Sequence, residues 1–151
     1  MLGRVTLVRP LEADDHDRWR ELFAAYRAFY RLAPDDAVID RVWGWLLDPA
    51  HELSGLVAEV EGAVVGIAHH RPFARPSTGT VGLWLDDLFA DPAARGRGVG
   101  RALIGRLQEL AREQGRSLVR WITAEDNGTA QRLYDDVAAR TRWVVYEAPP
   151  T

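Results

Sequence analysis

Between a strand-like run, Thr80 to Ala90, and an amphipathic stretch, Val99 to Gln114, the chain reads Arg95-Gly96-Arg97-Gly98-Val99-Gly100. Glycines at such a point let backbone N–H groups converge without Cβ obstruction, and a helix N-terminus adds about half a positive charge. The turn thus demands a strand-turn-helix unit and forms a seat for a phosphate. Arg95, Arg97 and Arg101 add cationic arms. A plain glycine turn ahead of a helix is the competing reading, and the strand-turn-helix context disfavours it. No Gly-Lys-Ser/Thr follows, and the glycines run G-x-G-x-G, not G-x-G-x-x-G, so both common nucleotide-binding fingerprints fit poorly. The turn also lies late in the chain, whereas a dinucleotide fingerprint would follow the first strand.

Around this unit the chain alternates strands and helices. Val5 to Pro10 is a strand, and Asp14 and Asp15 are expected to cap a helix carrying Trp19, Leu22, Phe23, Tyr26, Phe29 and Tyr30. Asp36 is expected to cap a second helix, with Val38, Val42, Trp45 and Leu46 on one face, ended by Asp48-Pro49. Leu53 to Val60 and Ala63 to Arg71 form a hairpin turned at Glu61-Gly62. Pro72 to Gly79 reads as a loop. After the Val99 helix, capped by Gly115, come a strand from Ser117 to Ala124, a helix from Thr129 to Ala139, and a last strand from Arg142 to Ala148. With neither repeat nor low-complexity segment, the pattern predicts an α/β (α+β) fold: a mixed, mostly antiparallel sheet flanked by about four helices.

Composition narrows the function classes. At 151 residues, with 47% hydrophobic and 27% charged side chains, the chain is expected to form a single domain spanning 1–151. A formal charge of -3 argues against electrostatically driven nucleic-acid binding and favours cationic partners. The absence of cysteine excludes disulfides, Cys-ligated zinc and a cysteine nucleophile. Every basic residue is Arg, so Lys-based Schiff-base chemistry is absent too. Met1 to Val5 opens no signal-length apolar run, and a cytoplasmic protein without membrane attachment is expected. His69 and His70 are adjacent on a strand, cannot chelate one ion together, and have no partner carboxylate at a supporting spacing, so no metal site is expected.

The turn and its surroundings resemble the GNAT superfamily of acyl-CoA-dependent N-acyltransferases. Arg95-Gly-Arg-Gly98-Val-Gly100 matches that family's Arg/Gln-x-x-Gly-x-Gly/Ala signature. Leu85 to Pro92 is similar to its fourth strand, and Asn127-Gly-Thr-Ala130-Gln-Arg-Leu133-Tyr134 resembles its Asn-x-x-Ala-x-x-Leu-Tyr motif. Trp84 to Phe89 looks most like the polyamine and yeast histone/amino-acid acetyltransferase branches. The chain departs at Val137-Ala138-Ala139, where the family has Leu-Gly-Phe, and only one strand remains beyond it.

The resemblance implies a GNAT fold and acetyl transfer from acetyl-CoA to a primary amine, by direct attack in a ternary complex. Acetyl-CoA is the implied co-substrate. Its pyrophosphate would sit on the amides of Arg95, Gly96, Arg97, Gly98, Val99, Gly100 and Arg101. Its pantetheine arm would pair with backbone of Leu88, Phe89 and Ala90, with Asn127 and Ala130 as further contacts. Tyr134 resembles the residue that protonates the departing thiolate. An amine with an ordinary pKa of about 10.4 is charged at neutral pH and must lose a proton to attack. Asp86 is the expected base, with Glu125 and Asp126 in reserve, and strand alternation is expected to turn Asp87 to the other face. Asp35, Asp36, Asp86, Glu125 and Asp126 together would make an acidic acceptor cleft for a small cationic amine, an amino acid or a lysine side chain. The short C-terminus suggests a homodimer whose chains complete each other's sheet edge. Two alternatives stay open: a non-catalytic acyl-CoA-binding module, and an acetyltransferase acting on aminoacyl-tRNA.

Overall fold

The computed structural model describes Val5 and residues 7–151. Met1 to Arg4 and Thr6 lie outside the described residues, and with them the N-terminal reading and part of the expected first strand. The order is β1 (Leu7–Pro10), α1 (His16–Phe29), α2 (Asp36–Leu47), β2 (Ser54–Val60), β3 (Ala63–Arg75), β4 (Thr80–Ala90), α3 (Val99–Glu113), β5 (Val119–Arg120) and α4 (Gly128–Val137). The five strands lie in sequence order in one sheet. All neighbours are antiparallel except β4 and β5, which α3 connects as a parallel pair. The expected mixed α/β class is what forms.

Two apolar layers hold the sheet. Trp19, Leu22 and Phe23 of α1, with Ile39 and Val42 of α2, pack on Val57, Val64 and Ile67. On the opposite face Val99, Leu103, Ile104 and Leu107 of α3 pack on Leu56, Ala58, Ala68 and Leu85, with Leu133 and Tyr134 of α4 at the margin. The α3 stripe is the three-and-four spacing read from sequence. Gly66 is where α3 comes closest to β3: a Cβ there would collide with Val99 Cγ1 and lie 3.3 Å from Leu103 Cδ1. Gly66→Ala is therefore expected to lower unfolding free energy by about 1–3 kcal/mol through overpacking, read by urea denaturation.

Glu61 and Gly62 both have positive φ (51° and 80°), the backbone of the tight hairpin expected between β2 and β3. Other expectations need correction. Asp35, not Asp36, caps α2, accepting from the Val38 amide at 3.2 Å. Asp15 makes no side-chain cap to α1; its carboxylate instead receives both Arg9 guanidinium nitrogens at 2.8 Å and the Glu12 amide. Trp45 leaves the buried face of α2 and stacks on His51 outside. Pro72 to Arg75 continues β3 and is not a loop. β2 ends opposite His70, so β3 beyond it is a two-stranded ribbon with one open edge, where proline is tolerated.

β5 is only Val119–Arg120, shorter than the expected Ser117 to Ala124, because its pairing with β4 stops at Trp84. The expected strand from Arg142 to Ala148 does not form. Trp143, Val144, Val145 and Tyr146 are exposed at 82, 73, 58 and 90%. They have strand-forming side chains but pair with no strand among the described residues.

Candidate acyl-transfer site

The turn before α3 is built by two left-handed glycines, Gly96 (φ 78°) and Gly98 (φ 74°), the latter in the N-cap position. A side chain at either would be strained. The first-turn amides of α3 have no partner within a helix and face outward there. Arg97, within the same turn, keeps a buried Nε with no hydrogen-bond partner among the described residues. An anionic diphosphate fits these groups. Of the other two arms, Arg95 is exposed and Arg101 pairs with Asp136 at 2.9 Å. Gly100 has a separate reason to be small: a Cβ would sit 3.0 Å from Leu133 Cδ2, so α4 rests on the start of α3.

Beyond Trp84, β4 has no partner on its β5 side, which leaves the backbone of Leu88, Phe89 and Ala90 unpaired along that edge. Tyr134 of α4 faces this opening. Its ring meets Trp121 edge-on at 5.3 Å. A narrow cleft forms there, lined by Tyr26, Tyr30, Asp86, Leu88, Trp121 and Tyr134. Burial, with Tyr30 adding to it, pushes the Tyr134 phenol up to about 12, so the group keeps its proton at neutral pH.

Asp86 reaches the cleft through a β-bulge. Leu85 pairs with His70 and Asp87 with His69, leaving Asp86 without an opposing residue. Leu85 and Leu88, three apart, consequently pack on the same cluster, whereas Phe89 joins the other. The bulge overrides strict alternation. Contrary to expectation, Asp86 and Asp87 both lie within electrostatic reach of Tyr26. Burial raises the Asp86 carboxyl above its ordinary range, with Arg71 working against that. Arg71 Nε contacts both carboxylate oxygens, at 3.2 and 3.1 Å, and its guanidinium lies over Trp84.

The wider acidic ring does not assemble. Asp35 caps α2 and Asp36 pairs with Arg20, while Glu125 and Asp126 are exposed before α4. Among these carboxylates only Asp86 lines the cleft. Asn127 occupies the N-cap position of α4 without capping it, and its Nδ2 donates instead to Thr123 Oγ1 at 3.3 Å. Ala130 sits half-buried in the first turns of α4. Gln131 went unread in the sequence, yet its Nε2 donates to the Ala124 and Glu125 carbonyls at 3.2 and 2.9 Å, pinning the loop that leads to Tyr134.

His69, fully buried, has the partner that sequence spacing failed to show: its Nδ1 lies 2.7 Å from Asp87 Oδ2. Trp19 Nε1 donates to its other ring nitrogen at 2.9 Å. His70 is nearly buried as well, and burial lowers it to about 4. The unfolded chain takes up this proton near 6.5 and the folded chain only near 4, so stability falls as pH drops through that window. The loss amounts to roughly 3 kcal/mol at its lower end. His70→Gln is expected to flatten that slope in denaturation curves measured across the window.

A glycine turn opening a helix, a strand whose edge is freed by divergence, and a protonated phenol beside a half-buried carboxylate together suit group transfer from an anionic carrier. Sequence comparison identifies the class. Residues 17–137 match the acetyltransferase (GNAT) family, and the chain belongs to it. It is 31% identical over 149 residues to the Saccharomyces cerevisiae D-amino-acid N-acetyltransferase HPA3, covering 97% of this chain and 92% of that one. In fold it is similar to a ribosomal-protein-alanine N-acetyltransferase from Brucella melitensis biovar Abortus 2308 (TM-score 0.78, 26% identity, covering 95% and 99%). The aminoglycoside acetyltransferase AAC(6')-Iy, solved with a bisubstrate analogue, shares the fold at TM-score 0.78 and 20% identity, covering 96% and 98%. The protein is thus an acyl-CoA-dependent N-acetyltransferase with the GNAT fold. The non-catalytic alternative is set aside.

Proposed function

We propose that the chain moves the acetyl group of acetyl-CoA to a primary amine of a small, cationic molecule or amino acid, by direct attack in a ternary complex. The observation that carries this reading is the single cleft joining Asp86, Tyr134 and the freed edge of β4. The amides of residues 95–101 and the unpartnered Nε of Arg97 hold the diphosphate, and Leu88 to Ala90 offer main-chain groups to the pantetheine arm. Acetyl-CoA supplies an activated acyl group. Asp86 takes the proton from the ammonium, directly or through a water, and Tyr134 gives one to the sulfur. The half-buried carboxylate at the cleft favours a cationic acceptor over an anionic one. HPA3 is, as its name says, a D-amino-acid N-acetyltransferase, which supports that end of the acceptor range.

The test is a panel of polyamines, amino acids and neutral amines, followed by release of CoA thiol. Turnover confined to neutral or acidic acceptors would sink the cationic reading. The homodimer belongs here too. Exposed Trp143 to Tyr146 and a groove of about 480 Å³ between α3, β5 and α4 suit a second copy that adds this segment to the open side of β5. Light scattering is expected to give a dimer mass that returns to monomer when the chain stops after residue 141; a monomer in both cases overturns it.

A further inference from the structure

Two buried side chains, Trp19 and His69, and the half-buried Asp87 lie in line behind the cleft, and none of the roles above uses them. Indole Nε1 can only donate, so the Trp19 contact at 2.9 Å requires a lone pair on His69 Nε2. The ring proton must then sit on Nδ1, where it is donated to Asp87 Oδ2 at 2.7 Å. Tyr26, which lines the cleft beside Asp86 and Tyr134, lies within electrostatic reach of Asp87. Burial works to raise Asp87, but the hydrogen bond from His69, with the Tyr26 hydroxyl adding to it, outweighs that and holds the carboxyl below its ordinary range. Every donor in this line points inward. Trp19 and His69 are fully buried, stacked among Phe23 and Trp43, so the polarity cannot reverse by turning a side chain into water.

We propose that Tyr26 binds the nitrogen of the acceptor, its hydroxyl proton committed to Asp87 by the Trp19–His69–Asp87 line so that only oxygen lone pairs face the cleft. A phenol so held accepts a hydrogen bond and offers none. It receives an N–H of the amine, aims the nitrogen lone pair elsewhere, and gives no purchase to an acceptor presenting only lone pairs. Asp86 remains free to take the proton, so binding falls to α1 and deprotonation to the bulge of β4. Trp19, His69 and Asp87 are positioning residues in this scheme. It rests on the reading that the acceptor is an amine.

Two measurements test it. Nitrogen-15 NMR of the histidine rings in the parent protein is expected to show His69 as the Nδ1-protonated tautomer; the Nε2-protonated tautomer overturns the scheme without reference to activity. Tyr26→Phe keeps the ring contacts with Phe23, Tyr30 and Phe89 while deleting the oxygen. The acceptor KM is expected to rise ten- to a hundredfold, the range for losing a hydrogen bond to a charged group, with the acetyl-CoA KM within about twofold of the parent. An unchanged acceptor KM, or equal rises in both, defeats this proposal alone. A parent that acetylates no amine of the panel defeats the functional reading and takes this proposal with it.

Discussion

Tyr134→Phe is expected to cut kcat by about a hundred- to ten-thousandfold, the span typical of a lost general acid. CoA affinity, measured by calorimetry, should stay within about threefold of the parent. The reason is where the hydroxyl lies. The ring packs at the edge of the α3 layer and against Trp121, and phenylalanine preserves both contacts. What disappears is a phenol held protonated by burial at the mouth of the cleft. A variant that loses CoA binding in step with turnover would mean that the tyrosine builds the site and does not donate a proton there. Full activity would remove it from the chemistry.

Asp86→Asn is expected to act on the same scale and to change the shape of the pH profile. Burial raises this carboxyl above its ordinary range, so its charged, proton-accepting form is lost as pH falls through that raised value. Parent activity should therefore decline on the acid side at a pH above that of an ordinary aspartate. The variant should lack that limb and keep a low, flat rate. Arg71 loses its partner in the variant, so thermal denaturation must show a folded protein before the rates are compared. A variant profile with the parent's acid limb would assign the proton to another group.

Local chemistry made much of the fold legible. Glu61-Gly62, Asp91-Pro92, Gly115 and the α3 stripe are short-range signals, and the elements they bound formed where those signals put them. The glycine turn and Tyr134 were legible for the same reason, since the resemblance rests on residues near each other in the chain. The misread parts depend on distant partners. Strand character in residues 117–124 and 142–148 is real, but a strand exists only where another segment pairs with it; divergence from β4 ends the first at Arg120, and no described segment pairs with the second. Asp87 shows the limit most clearly. Counting back from the turn that joins Arg75 to Thr80 puts Asp86 opposite His69; one extra residue in β4 puts Asp87 there instead. Alternation then fails locally, and with it the assignment of the two carboxylates to opposite faces. Pairing of β3 with β4 would have had to be known, bulge included, before His69 could be given its partner.

That extra residue sets the phase of everything after it. Ahead of the bulge, odd-numbered Leu85 points into the α3 layer; behind it, even-numbered Leu88 and Ala90 do, while Phe89 enters the layer beneath α1. Were the same residues forced into a smooth ribbon without the bulge, the last stretch would turn inside out. Leucine would be sent toward the tryptophans and phenylalanine toward α3. Deleting one position would instead leave both layers as they are and cost the strand one of its two neighbouring carboxylates.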